Sequence, residues 1–345
     1  MLSNLLFIEK FKHLRKYKYL NRSYAGKYAF IGIGNHSINN LYPVINYLHI
    51  PLKYIVTKSD ATAKKINNNF LNIAAVTDLN VVLKDPEIKG VFVCAHPDVH
   101  SELVKEILSA GKNVFVEKPV AQNINTLNKL IEVEKDTGKA CLVGMQRRYS
   151  PYFNMLRKKL NNVQSYNYRF LTGAYPEGDR LLDLFIHPLD IINFLFGNGN
   201  IHAVQQSSDK QTLLLQMVHN KVIGTIELST AYSWSYASEE MTVNTTNGVF
   251  NLLNFNTLTY RKKPGAILGL PKEKIFSNVD ACYTLLDRSS FLPIFSKNEI
   301  YASGYYDEID SFVRLCEGQN SLNKSKLSDL LPTYRLIEEV KNKLS

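Results

Sequence analysis

Long apolar runs are missing from this sequence. No stretch reaches the roughly 20 uninterrupted apolar residues that a membrane-spanning helix needs, and the richest, 189–196, is broken by Asp190 and Asn193. A secretory leader is not expected, because Leu5–Ile8 is a very short apolar patch whose charges follow it instead of preceding it. Cysteine is scarce. Cys94, Cys141, Cys282 and Cys316 lie far apart and form no C-x-x-C pair. That spacing argues against a zinc site or a disulfide framework, so no metal is expected and the thiols read as free, in a reducing cytoplasm. Low-complexity tracts, internal repeats and heptad runs are absent too, which leaves a globular composition. With 345 residues, 45% of them apolar, the chain has room for two domains, each with its own core.

Acidic residues are nearly lacking at the start of the chain. Residues 1–27 hold seven lysines and arginines against Glu9 alone, a local balance of +6 out of +10 for the whole. The other 318 residues share only +4, so the body is close to balanced and no nucleic-acid partner is expected. This amino-terminal arm, 1–27, is expected to be a solvated helix or strap packing on the body through Leu5, Phe7, Ile8, Phe11 and Leu14. Contact with an acidic membrane surface is the alternative.

From Tyr28 onward, strand-like apolar runs at 28–33, 52–56, 90–95, 113–116 and 140–144 alternate with amphipathic stretches such as 100–110 and 125–137. The alternation predicts an α/β domain with a doubly wound parallel sheet over 28–146. Gly111 and Gly138 stand where helix C-caps are expected, and Asp85-Pro86 marks a loop. After Gln146 the pattern changes. A helical segment at 151–160 and an apolar stretch at 181–196 precede β-rich runs at 213–218, 222–228, 241–245 and 249–253. These predict an α+β domain over 147–345: a large, mostly antiparallel open sheet with one helix packed on it, closed by amphipathic helices near 306–316 and 327–344.

Ile31-Gly32-Ile33-Gly34-Asn35-His36-Ser37 is a G-x-G-x-x-S form of the dinucleotide-binding loop. Gly32 permits the tight turn. Gly34, followed by Asn35 and His36, lets backbone N–H groups approach a pyrophosphate at a helix start. Ser37 replaces the glycine that allows close helix–strand packing, so this helix is expected to sit slightly off. At the end of the second strand, Thr57, Lys58 and Ser59 supply hydroxyls and a cation where a carboxylate would grip the ribose of NAD, although Asp60 follows directly. This favours NADP(H), with NAD(H) as the alternative; a solvated loop lysine is the structural reading of Lys58.

Two further constellations carry chemistry. Glu117-Lys118-Pro119 follows a buried strand, and ligands of open sheets gather at the carboxyl ends of strands. A lysine there can stabilise charge developing on a substrate oxygen. Asp183, His187 and Asp190 stand at i, i+4 and i+7 in an otherwise apolar segment, one face of a single helix, which Pro188 kinks or restarts. Histidine is the natural proton acceptor near neutral pH, and a neighbouring carboxylate can orient it. Read singly, Glu117–Lys118 is a surface ion pair and His187 a structural histidine; a metal lacks an obvious third ligand.

In order along the chain, these motifs, with Ala95-His96-Pro97-Asp98-Val99-His100, Ala110-Gly111-Lys112-Asn113-Val114-Phe115-Val116-Glu117-Lys118-Pro119 and Gln146-Arg147-Arg148-Tyr149, resemble the glucose–fructose oxidoreductase, inositol dehydrogenase and MocA family from about Tyr28 to the end. The resemblance implies a Rossmann domain joined to an open-sheet domain used for oligomer contacts, so a homodimer or homotetramer. It implies His96, Pro97, His100 and Glu117 near the cofactor and a cis Lys118–Pro119 bond. Lys118 would polarise the reacting oxygen, His187 would carry the proton, and Asp183 would hold substrate or orient the pair. Arg148, Tyr175 and Arg180 are expected toward a sugar- or polyol-like substrate, with Trp234 a further candidate. Arg180 replaces part of a small, glycine-rich run, which suggests an anionic substrate. Reduction of an imine, or cofactor sensing without catalysis, are the competing readings.

Overall fold

The computed structural model describes residues 2–17, 22–70, 72–277, 281–288 and 298–344; of these, the side chains of 2–4 and 14–17 are left undescribed. The chain divides into two compact units. The first comprises Met1–Glu117, Glu132–Leu142 and Ile309–Asn323; the second comprises Lys118–Ile131, Val143–Glu308 and Lys324–Ser345.

The amino-terminal half runs α1 (Leu2–Tyr17), β1 (Lys27–Ile31), a π-helical turn (Ser37–Leu41), α2 (Tyr42–Tyr47), β2 (Leu52–Val56) and α3 (Asp60–Asn69). It continues with β3 (Ala74–Val76), α4 (Asn80–Lys84), β4 (Ile88–Val93), α5 (His100–Ser109), β5 (Asn113–Val116), α6 (Ile124–Thr137) and β6 (Cys141–Val143). The strands form one six-stranded sheet in the order β3-β2-β1-β4-β5-β6, the doubly wound arrangement that the alternation predicts. Its central strands are apolar on both faces, as a sheet covered on both sides requires. Gly111 and Gly138 have φ of +74° and +62°, and each follows a helix end as a C-cap glycine should.

The boundary at 146 is not where this unit ends. Ile309–Asn323 returns to it because Phe312 packs edge-on against Phe92, with ring centroids 5.0 Å apart, and lies beside Phe115. Gly90 leaves the room: a Cβ there would stand 2.7 Å from Cys316 Sγ and 3.0 Å from the Phe312 ring.

The rest of the chain runs α7 (Pro151–Lys159), β7 (Val163–Leu171), α8 (Arg180–Asp183), α9 (Ile186–Phe196), β8 (Asn200–Gln206), β9 (Thr212–His219) and β10 (Val222–Ser229). Then come β11 (Ser238–Thr245), β12 (Gly248–Leu253), β13 (Thr257–Lys262), the short hairpin β14 and β15 (Ala266–Ile267 and Leu270–Pro271) and β16 (Ala281–Asp287). The chain closes with α10 (Glu299–Ser303), α11 (Tyr305–Cys316) and α12 (Leu331–Leu344). Eight strands make the second sheet, in the order β16-β13-β12-β11-β7-β10-β9-β8, antiparallel except where β7 meets β10. Burial alternates along β9 and β11, so one face is core and the other faces out. Phe196 of α9 stacks on Tyr166 of β7 at 4.3 Å, fixing that helix on the inner face. The open-sheet α+β architecture is the expected one.

The arm departs from expectation. It is helical, but Leu5, Leu6, Phe7, Ile8 and Phe11 are all exposed, so it does not pack on the body through them; the Leu14 side chain lies outside the described residues. No helix among the described residues is long and apolar enough to cross a membrane.

Candidate active site

In the first unit, Gly32 closes β1 with φ +84°, and a Cβ there would stand 2.5 Å from the Cys94 carbonyl oxygen. Only glycine fits that turn. A Cβ at Gly34 would meet nothing within 4 Å, so the chain faces open space there. Beside it lies a cavity of about 740 Å³ at the carboxyl ends of β1, β2 and β4. A glycine turn that admits no Cβ, opening on a cavity of that size, fits a dinucleotide.

Ser37 changes the helix start. Its buried hydroxyl donates to Gly34 O and accepts from the Gly34 N–H, both at 2.9 Å, and the first turn is π-helical instead of α-helical. The Gly34 N–H is thereby engaged, and a phosphate would meet the exposed backbone of Asn35 and His36 instead. His36 Nε2 lies 3.2 Å from Oε1 of the buried Glu117, and its Nδ1 lies 3.2 Å from Asn40 Nδ2.

Thr57 and Lys58 line the cavity, as do Thr62 and Thr77, which sequence reasoning missed. Ser59 does not: it caps α3, accepting from Thr62 N at 3.2 Å. Asp60 begins α3 and accepts from Thr77 Oγ1 at 3.3 Å, outside the lining. The carboxylates that do line the cavity, Glu102 and Glu106, stand one turn apart on α5. That helix follows β4 directly, the one signal that could have found them. His96 lines the cavity beside Asp98. Pro97 starts a short 3₁₀ turn outside the lining. His100 is buried outside the lining, with Nε2 2.9 Å from Ala95 O.

The second unit brings together Lys118, Asp183 and Tyr175. The Lys118–Pro119 bond is cis. Lys118 Nζ donates to the main-chain oxygen of Asp183, and Tyr175 Oη donates to Asp183 Oδ2 at 3.3 Å. Burial raises the Asp183 carboxyl above its ordinary value, with the Lys118 charge opposing. Burial and Asp183 push the Tyr175 hydroxyl up to about 12. Gly178 makes this fit: a Cβ there would stand 2.4 Å from Asp183 Oδ2. Asp179 caps α8 by accepting from Leu181 N and Leu182 N.

Asp183, His187 and Asp190 do not share one helix. Asp183 ends α8, while His187 and Asp190 belong to α9, with the break at Leu184–Phe185. Pro188 is the reason: its ring would clash with the carbonyl of Leu184 in a continuous helix, and it is tolerated in the first turn of a new one. His187 is buried in that first turn.

Arg148 and Asp190 pair with each other. Both are buried, joined by bonds of 2.7 and 2.6 Å, with Thr333 Oγ1 also donating to Asp190 and Arg148 capping Lys324 O and Asp329 O. Arg148 is thereby held in a buried ion pair. Arg147 makes the same kind of pair with Glu239. Arg180 opens α8, half exposed. Trp234 donates to Ala174 O and covers Gly173.

Residues 26–145 match the model of an oxidoreductase family with an NAD-binding Rossmann fold, that of glucose–fructose oxidoreductase, inositol dehydrogenase and MocA. Over these residues the chain is similar to that family. Its Rossmann domain is accordingly of the nicotinamide-binding type. An uncharacterized oxidoreductase YrbE of Bacillus subtilis is 28% identical over 181 residues, 48% of this chain and 53% of that protein. A myo-inositol 2-dehydrogenase of Thermotoga maritima is 28% identical over 135 residues, 36% of this chain and 40% of that one. The chain thus spans about half the length of the curated relatives it matches. The fold is shared more widely: the dehydrogenase MviM of Clostridium difficile superposes with a TM-score of 0.76 at 16% identity, over 92% of this chain and 98% of that one.

Proposed function

We propose that this chain is a nicotinamide-dependent oxidoreductase that interconverts a secondary alcohol and a ketone on a sugar, polyol or sugar derivative. The observation that carries the reading is the Lys118 ammonium, tethered to the main chain of the residue whose carboxyl accepts from Tyr175. So tethered, the ammonium stabilises the charge that develops on a substrate oxygen. His187 takes the hydroxyl proton in oxidation and returns it in reduction. Asp183 holds a substrate hydroxyl or orients the pair. Bound nicotinamide supplies the acceptor of hydride from the alcohol carbon, or its donor to the ketone carbon. The match to an inositol dehydrogenase supports a polyol-type substrate, and half-exposed Arg180 extends the class to anionic derivatives.

Lys118→Ala and His187→Ala should each lower turnover by about 10²–10⁴-fold while cofactor affinity holds. Full turnover in both variants would sink this mechanism. A thermal melt separates a lost function from a lost fold at the buried His187.

NADP(H) is the favoured cofactor. Lys58 lines the cavity while Asp60, the acidic residue next to the second strand's end, is engaged by Thr77 outside its lining, so a 2′-phosphate near that strand would meet a cation. Lys58→Glu should move the NADPH-to-NADH affinity ratio toward NADH by about 10-fold or more, roughly one charged contact, read by fluorescence titration. An unchanged ratio would leave NAD(H) as the cofactor.

The proposal includes a homodimer or homotetramer formed through the second sheet. Leu214, Val218, Ile223 and Leu253 stand on or at the rim of its outer face, exposed by 38–61%, and Leu214 lines a depression of about 380 Å³ there.

A further inference from the structure

Five large apolar side chains of α1 stand in solvent: Leu5, Leu6, Phe7 and Ile8, then Phe11, each exposed by 48–72%. Successive helical residues point about 100° apart, so 5–8 encircle the axis and the first turns are apolar on every side. Charge comes later, at Lys10, Lys12, Arg15, Lys16 and Lys18, against Glu9 alone. Beyond that, Arg22 is tied to Asp310 at 2.8 Å. Along the sequence the apolar residues 5–8 thus precede the basic ones, with Phe11 between Lys10 and Lys12: an apolar start, a basic stretch, and an anchor at Arg22.

We infer that this arm docks on an anionic lipid surface, with the apolar start entering the boundary between headgroups and acyl chains and the basic stretch lying over the headgroups. Charge decides the occupant. Two copies of the arm, each carrying +6, repel one another, and the remaining 318 residues, at +4, offer no acidic surplus to receive it. A nucleic acid would satisfy the basic stretch but leave Leu5, Leu6, Phe7 and Ile8 in water. Anionic lipid takes both parts, and stable anchoring of peripheral proteins generally requires two such signals.

The test is flotation of the full chain with vesicles of phosphatidylcholine, alone or mixed with phosphatidylglycerol. Binding to the anionic vesicles only, reduced by added salt, is expected. Replacing Lys10, Lys12 and Lys16 together by alanine should weaken partitioning by about a hundredfold. Leu6→Ser, Phe7→Ser and Ile8→Ser combined should abolish it without changing the thermal melt of the body. Absence of flotation, or equal flotation with neutral vesicles, overturns the inference. Retention of duplex DNA that survives the three serine changes overturns it in favour of nucleic acid. A dimer that those changes dissolve overturns it in favour of a second copy.

Discussion

At Gly32 two demands meet in one missing side chain. The turn needs φ of +84°, and the Cys94 carbonyl occupies the place a Cβ would take. The first demand is readable from a G-x-G motif; the second belongs to a residue 62 positions away and is not. Asp183 shows the same division. Its spacing nominates it, but only the structure shows that burial raises its pKa against the pull of Lys118. A carboxyl raised on folding favours the folded state below its unfolded value near 3.8 and works against it once pH rises through the folded value. Asp183→Asn should therefore leave stability at pH 7 equal or higher in thermal melts, and flatten the gain otherwise seen on acidification from there. Turnover should fall by about 10-fold or more. Lower stability at pH 7 would mean that the carboxylate is held mainly by Lys118. His100 and Arg148, both buried, mark where residue-level reading is silent. A histidine or arginine turned into the core has the same sequence signature as one turned toward a ligand, and only tertiary burial separates them.

Among the elements, Pro188 is the instructive one. The periodicity of 183–190 reads as one helical stripe, yet the proline splits it and gives the two carboxylates different work: Asp183 meets Lys118 and Tyr175, Asp190 meets Arg148. The apolar runs predicted five of the six Rossmann strands, because a strand buried on both faces has to be apolar throughout; β3, short and partly exposed, escaped them. Thin alternation hid β8, β13 and β16, whose exposed positions are mixed. The buried Arg148–Asp190 pair ties the segment after β6 to α9. Asp190→Ala should cost about 3–5 kcal/mol, since it leaves a buried guanidinium uncompensated, measured by denaturant unfolding. A loss under about 1 kcal/mol would show that the Lys324 and Asp329 carbonyls suffice for Arg148.

For the molecule as a whole, the outer face of the second sheet is the surface that sets assembly in the proposed oligomer. Leu214→Arg with Ile223→Arg should bring the mass in light scattering down to one chain, because two charges cannot be buried unpaired in such an interface. A mass unchanged by both substitutions would move the contact elsewhere. Charge was legible at this scale and packing was not: the sequence shows where the cations lie, but not that the apolar start of the arm is uncovered.

The return of Ile309–Asn323 to the first unit has a consequence for biosynthesis. When Glu117 leaves the ribosome, roughly 190 residues must still be made before Phe312 can cover Phe92. At ordinary elongation rates of about 5–20 residues per second, that interval lasts on the order of 10–40 seconds. For that time a nascent Rossmann sheet carries an unsealed aromatic face. The nascent chain therefore needs either shelter by a chaperone or rapid completion, and a pause late in the message would prolong the exposure.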